Sequence, residues 1–382
     1  MNGTRKETMD KVIAWRRHLH KHPEVSYQEK ETAAFVAREL TRMGWRVRTG
    51  VGGHGVVADM DGARPGKRIA LRADMDALPI QDQKTMEYAS MVPGVMHACG
   101  HDGHTSALLG AAERLSETKA DWEGSVRLLF QPAEEIPPGG AQAMIRDGAL
   151  DGVDEIYGIH LWSQFPACTV QTAAGPIMAA SDEFSARIVG KGGHGGLPHQ
   201  AIDAVAIGSH FVVNIQSIVS RNSDPILPNV ISVGSFHAGT TFNVIASECL
   251  LQGTVRSMTP ETRMFLKERL EQVLDATCRM YGATYELEYK LGYPPVVNHA
   301  RETERVLSVA RERLGPDAVR VCQPMMAGED FSFYLEKVPG CFMFVGAGNE
   351  TISAPHHHPL FDIDERALQT SVDLLYDLAT KR

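Results

Sequence analysis

Val126-Arg127-Leu128-Leu129-Phe130-Gln131-Pro132-Ala133-Glu134-Glu135 is an apolar run that ends in two adjacent carboxylates. Its first five residues, Val126 to Phe130, read as a buried strand. Successive side chains of an extended chain alternate faces, so Glu134 and Glu135 are expected to point different ways, one to bind a metal and the other to do a different job. Arg68 to Arg72 and Ile156 to Leu161 read as further buried strands, and Thr105 to Leu115 as a helix between them. Such β-α-β alternation implies a largely parallel sheet covered by helices. Open sheets of this kind gather ligands at the carboxyl ends of their strands. Asp74, Glu134 with Glu135, and His160 all fall at or just beyond such ends.

With 382 residues the chain is longer than one ordinary core, and two domains are expected. Hydrophobic content of 43% and charged content of 22% are those of a soluble globular protein. The net charge of −9 argues against a nucleic-acid or acidic-membrane partner. No apolar segment approaches the length of a membrane span, and the N-terminus lacks an apolar signal core, so the cytoplasm is the expected compartment. The six cysteines are scattered without CxxC spacing, which excludes a zinc ribbon and makes a disulfide framework unexpected. Only Cys99 has ligand-type neighbours; the other five are expected to be buried small apolar residues.

Asp10 to Lys21 and Glu29 to Met43 carry helical periodicity, the second stopping at Gly44 as a C-cap. Near Ser181 the pattern changes. Phe184 to Gly190 alternates as a strand, Ala201 to Arg221 is an amphipathic helix, and Asn229 to Phe236 and Glu248 to Arg256 are strands. Pro260 to Tyr281 is a second helix and Thr284 to Lys290 a last strand. This β-α-β-β-α-β order is that of a ferredoxin-like unit. It predicts an inserted domain over 182–293, within a first domain made of 1–181 and 294–382 and closed by a helix over Asp364 to Lys381.

In His97-Ala98-Cys99-Gly100-His101-Asp102-Gly103-His104, Cys99 and His101 are close enough to face one site from a loop, with glycines letting the backbone approach. A thiolate and an imidazole suit Zn²⁺, Co²⁺ or Ni²⁺. Each element also has a plain reading. Cys99 is alternatively a buried cysteine beside a surface histidine, and any of the three histidines a helix cap. The glutamate pair is alternatively a solvated loop, and His160 a satisfied core histidine. The run His356-His357-His358 is bounded by Pro355 and Pro359, which makes it a turn within a fold. Together the segments supply thiolate, imidazole and carboxylate ligands and one spare carboxylate, the inventory of a metal-assisted hydrolase.

These motifs, together with Arg16-Arg17-His18-Leu19-His20, His22-Pro23-Glu24, Leu71-Arg72-Ala73-Asp74-Met75-Asp76-Ala77-Leu78-Pro79, Gly192-Gly193-His194-Gly195, Gly328-Glu329-Asp330-Phe331 and His357-His358-Pro359, run the length of the chain. In them the chain resembles the aminoacylase/carboxypeptidase family of di-metal peptidases, in its hippurate hydrolase and indoleacetyl-amino-acid hydrolase branch. Other branches place a histidine where Arg72 stands. The resemblance implies Cys99, His101, Glu135, His160 and His357 as ligands of two divalent ions (Zn, Mn, Co or Ni), with His356 the rival of His357. It implies Glu134 as general base and Asp74 as a carboxylate supporting the metal site. It also implies His194 as a contact to the scissile carbonyl, in some dimeric relatives from the opposite subunit, and Asn243 and Arg256 as contacts to the substrate carboxylate. Asn243 is otherwise a turn cap, and Arg256 a strand-end surface charge. The implied reaction is hydrolysis of small-molecule N-acyl-L-amino acids, with 1–181 and 294–382 as the catalytic domain and 182–293 as a lid or dimerisation domain through which a homo-oligomer, dimer or tetramer, forms. An N-acetyl-diaminopimelate deacetylase shares these motifs, and a catalytically silent metal-binding module is the alternative from another class.

Overall fold

The computed structural model describes residues 2–381, with side chains from residue 6 onward. The chain forms two compact units, one of residues 1–177, 297–323 and 330–382, the other of 178–296 and 324–329. Residues 178–181, 294–296 and 324–329 therefore pack with the second unit, although the sequence pattern puts them in the first. The Ala179 amide, for instance, donates to the carbonyls of Met325 and Ala327.

The first unit is built on an eight-stranded mixed sheet. Its order is Arg46–Val51, Gly55–Asp61, Glu123–Gln131, Arg64–Asp74, Glu155–Pro166, Gly340–Gly348, Val170–Thr172 and Val319–Val321. The four strands from Glu123–Gln131 to Gly340–Gly348 run parallel, and antiparallel pairs flank them. Their centres are apolar on both faces, as a doubly covered sheet requires: Leu71, Leu128, Leu129, Tyr157 and Phe342 are fully buried. Each such leucine contributes about 1.5–3 kcal/mol by leaving water.

Helices Asn2–Lys21, His101–Glu117 and Arg366–Thr380 pack together on this unit. The helix Lys30–Arg42 ends as expected at Gly44, whose positive φ of 83° lets the Gly44 amide donate to Thr41 and the Trp45 amide to Leu40. The helix placed over Thr105 to Leu115 begins four residues earlier, at His101. Gly103 is not a loop glycine: a Cβ there would lie 2.4 Å from Leu161 Cδ1, so its absence lets the helix lie close against the sheet.

In the second unit the strands Asn229–Ala238, Glu248–Ser257, Ala180–Val189 and Thr284–Tyr293 form an antiparallel sheet in that order. Helices Ala204–Ser217 and Pro260–Tyr281 complete the β-α-β-β-α-β sequence. Phe184, Ala186 and Ile188 alternate inward against Phe211, Ile215, Leu266 and Leu270, forming a core of its own. Asp203 caps the first helix by accepting from the amides of Val205 and Ala206. All six cysteines are free, and Cys168, expected to be buried, is half-exposed in a turn at φ 63°. No helix among the described residues is long and apolar enough to cross a membrane.

Candidate metal centre

The parallel register brings the predicted residues to one level. Asp74 pairs with Gln131, and Arg72 with Gly158, so His160, two residues on, stands level with Asp74. The strand before the glutamate pair stops at Gln131, and Ala133 turns the chain at φ 54°. Face alternation therefore does not extend to Glu134 and Glu135. Ligand atoms of His101, Glu134 and Glu135 all lie within 4.8 Å of one another, so both carboxylates converge on one site. Gly100, at φ 93°, bends the backbone so that Cys99 ends a loop and His101 opens the helix.

Ligand atoms of Cys99, His101 and His160 lie within 4.8 Å of one another, as do those of Cys99, Glu135 and His357. Hydrogen bonds fix which nitrogens face the centre. His101 Nδ1 sits 2.9 Å from the Asp76 carbonyl and 3.2 Å from Asp76 Oδ1. A carbonyl only accepts, so Nδ1 carries a hydrogen, and Nε2 is the nitrogen that faces the centre, buried without a hydrogen-bond partner among the described residues. His160 Nδ1 likewise donates to the Leu161 carbonyl at 2.9 Å, leaving Nε2 3.5 Å from Cys99 Sγ. His357 adopts φ 64°, donates its amide to Ala98, and holds Nε2 3.3 Å from Glu135 Oε1. His356 turns elsewhere: its Nε2 is 3.1 Å from the Leu161 carbonyl and its ring packs 4.2 Å from that of Trp162.

Asp74 is fully buried and accepts from Arg72 Nη1 and His104 Nδ1, each at 2.6 Å. The Leu161 amide donates to His104 Nε2 at 2.8 Å, which fixes the hydrogen of that ring on Nδ1, toward Asp74. His104 and Asp76 belong to the surroundings of the site and were not singled out by the sequence pattern. Asp76 is the more consequential, since Oδ1 approaches His101 while Oδ2 accepts from the Glu135 amide at 3.0 Å. The signal for His104 was its place one helical turn from His101.

The electrostatics are those of a site short of positive charge. Burial pushes the Cys99 thiol well above its ordinary range, and Glu135, Glu134 and Asp74 push it further. Burial disfavours charge on His101, yet Asp74, Asp76 and Glu135 outweigh it and raise its pKa to about 10. Burial, with His104 and His356 nearby, holds His160 well below its usual value. Among the described residues the buried Glu135 Oε1, like His101 Nε2, makes no contact of hydrogen-bond geometry, although His357 Nε2 stands 3.3 Å from it. A neutral imidazole, a thiol beside three carboxylates and an orphaned carboxylate oxygen fit divalent cations, which would supply the missing charge.

In the second unit the structure brings two predicted residues together. His194 pairs with Val244 in a two-stranded ribbon, and the Gly195 amide donates to the Asn243 carbonyl at 2.8 Å. His194 and Asn243 line one concavity of about 550 Å³ with Ile245 and Ser247. The His194 ring is exposed, its Nδ1 accepting from the Gly196 amide at 3.0 Å. Arg256 lines a different concavity, with Glu183, Gln252 and Lys290. It is half-buried and makes no ion pair among the described residues, only bonds to Thr254 Oγ1 and the Val255 carbonyl.

Comparison with known proteins gives this site a context. Residues 70–381 match the model of peptidase family M20/M25/M40. The N-acyl-L-amino acid amidohydrolase of Geobacillus stearothermophilus is 48% identical over 81% of this chain and 85% of its own length. The IAA-amino acid hydrolase ILR1-like 4 of Arabidopsis thaliana is 40% identical over 99% of this chain and 87% of its own. Among solved structures, the Bacillus subtilis YXEP protein, a dinuclear metal binding peptidase of the M20 family, superposes with a TM-score of 0.87 at 35% identity, covering 98% of both chains. The chain belongs to peptidase family M20/M25/M40 and is a metallo-amidohydrolase.

Proposed function

We propose that this amidohydrolase cleaves the amide of N-acyl-L-amino acids, releasing a carboxylic acid and a free amino acid. The observation that carries the reading is the clustering of ligand atoms of Cys99 with those of His101 and His160, and again with those of Glu135 and His357, each set within 4.8 Å, where His101 Nε2 and Glu135 Oε1 make no hydrogen bond among the described residues. These five residues are the proposed ligands of two divalent ions, of the zinc, cobalt, nickel or manganese kind. Such ions, when bound, lower the pKa of water from ~15.7 toward ~7 and polarise a carbonyl.

Glu134 lies among these ligands, with its carboxylate near His101 and Glu135. It takes a proton from the attacking water and returns it to the leaving nitrogen, general base and then general acid. Asp74, clamped by Arg72 and His104, holds the negative charge that orients the ligand set. His194 is proposed to donate to the developing oxyanion, an interaction worth roughly 3–4 kcal/mol. Arg256, a cation with no ion pair among the described residues, is proposed to bind the substrate's α-carboxylate, with Asn243 as a second contact.

The second unit serves in this reading as a lid and as the surface through which copies of the chain associate. Val213, Ile226 and Phe242, which are 69%, 82% and 99% exposed, supply apolar area for that association. The six free cysteines suit a reducing compartment, and the cytoplasm is the proposed location. The test is a hydrolysis panel of N-acetyl, N-benzoyl and indoleacetyl amino acids and N-acetyl-diaminopimelate, with and without chelator and with Zn²⁺, Co²⁺ or Mn²⁺ restored. Turnover of several N-acyl amino acids supports the reading; turnover of the diaminopimelate derivative alone refutes the broad acyl scope.

A further inference from the structure

The loop bearing Glu134 and Glu135 is gripped by a short segment distant in sequence, Ser26 to Glu29. Glu29 is fully buried, and its Oε1 accepts from the Ala133 amide at 2.7 Å and from the Tyr27 amide at 3.0 Å. Tyr27 sends its hydroxyl to the Ile136 carbonyl at 3.0 Å. Ser26 donates to Asp76 Oδ2 at 2.6 Å, and that same oxygen accepts from the Glu135 amide at 3.0 Å. The chain is thus held at 133, 135 and 136, on both sides of the two carboxylates that the proposed mechanism needs.

The grip is needed because the loop is not held by the sheet. The strand ends at Gln131, and Ala133 stands at φ 54°, a conformation that a residue with a Cβ adopts only when its surroundings impose it. A buried carboxylate aimed at the Ala133 amide imposes it here. Burying that carboxylate is costly, which raises the Glu29 pKa to about 7. Its other oxygen, Oε2, is buried without a hydrogen-bond partner. A glutamate kept under those conditions for backbone geometry alone would be a poor choice for stability.

We propose that Glu29, supported by Tyr27, is a positioning residue that sets where the Glu134 and Glu135 carboxylates stand relative to Cys99 and His101. The inference rests on the assignment of Glu134 and Glu135 to the metal centre. Displacement of a catalytic group by about 1 Å can cost on the order of 10²-fold in rate, so removal of the grip is expected to lower kcat by about 10- to 100-fold, with KM within about threefold.

The full-length cobalt-loaded protein distinguishes this role from a structural one. Wild type, Glu29→Gln, Glu29→Leu and Tyr27→Phe are compared by the thiolate-to-cobalt absorption band, by thermal unfolding, and by kcat and KM on an N-acetyl amino acid. Glu29→Gln keeps an oxygen that can accept from Ala133 and should restore most of the wild-type kcat and band. Glu29→Leu should shift the band and lower kcat, and Tyr27→Phe should lower kcat by a smaller factor. If Glu29→Leu does not fold, the Tyr27→Phe effect on band and kcat decides. An unchanged band and kcat in a folded Glu29→Leu, or in Tyr27→Phe where Leu fails to fold, overturns the proposal. A wild-type protein that shows no thiolate–cobalt band overturns the metal-centre assignment itself, and the grip falls with it.

Discussion

Arg16→Met should destabilise the first unit by about 3–5 kcal/mol, the cost of breaking a buried ion pair by removing one partner. Arg16 is 0% exposed; its Nε donates to Asp102 Oδ2 at 2.9 Å and its Nη2 to Asp362 Oδ1. Its guanidinium also lies 4.7 Å from the centroid of the Tyr88 ring. Methionine fills similar volume, so the loss isolates the charge: Asp362 would keep only Tyr88 and the Ile363 amide, and Asp102 only His20. At roughly 2–4 °C per kcal/mol for a domain of this size, the transition of the first unit should fall by about 6–20 °C. Burial opposes the charge on Asp102 and Asp362, but Arg16 holds both carboxyls below their ordinary range. A depressed carboxyl contributes stability that is present above its unfolded value of about 3.9 and lost as the pH falls through the folded value. The gap between wild type and variant should therefore be full at pH 7 and begin to narrow below about pH 4. Differential scanning calorimetry of both metal-loaded proteins from pH 3 to 8 is the assay. A shift under about 2 °C at pH 7, or a gap that widens on acidification, would refute the reasoning.

Three further outcomes are expected. Cys99 should resist alkylation while metal is bound and react after chelation, as its proposed role as a ligand requires; an acyl-thioester trapped by mass spectrometry would instead mark it as a nucleophile. Arg256→Ala should raise KM for N-acyl amino acids far more than for the corresponding amides, and equal effects on both would show that Arg256 does not read the carboxylate. His194→Ala should lower kcat by about 10²-fold with metal content unchanged. Mixing it with Glu134→Gln protein should restore activity if His194 acts across a dimer, and no recovery despite subunit exchange would place it within its own chain.

The parallel strands and the β-α-β-β-α-β unit were legible because their signals are local: apolar runs, alternation, caps. The clustering of the proposed ligand segments was legible because Cys99, His101 and the glutamate pair are unusual company for apolar neighbours. What sequence hid was determined at a distance. Gly100 and Gly103 look alike as loop glycines, yet one turns the chain and the other makes room for Leu161 against the helix. The glutamates were expected on opposite faces because strand alternation was carried past Pro132, whereas Ala133 turns the chain there at φ 54°. Asp76 stands in a quoted motif without a role assigned to it and Glu29 stands in none; their contacts are with backbone amides 59 and 104 residues away. His356 and His357 are indistinguishable by type, and the structure separates them through a φ of 64° and the contact with Glu135.

The central claim is that Glu134 moves the proton in a metal-dependent hydrolysis whose ligands are other residues. The direct measurement is metal content, substrate affinity and kcat of Glu134→Gln beside wild type, on an N-acyl amino acid at saturating concentration. The account predicts that bound metal and affinity persist while kcat falls by 10²–10⁴-fold. A variant that keeps more than about a tenth of the wild-type kcat with its metals in place would contradict it.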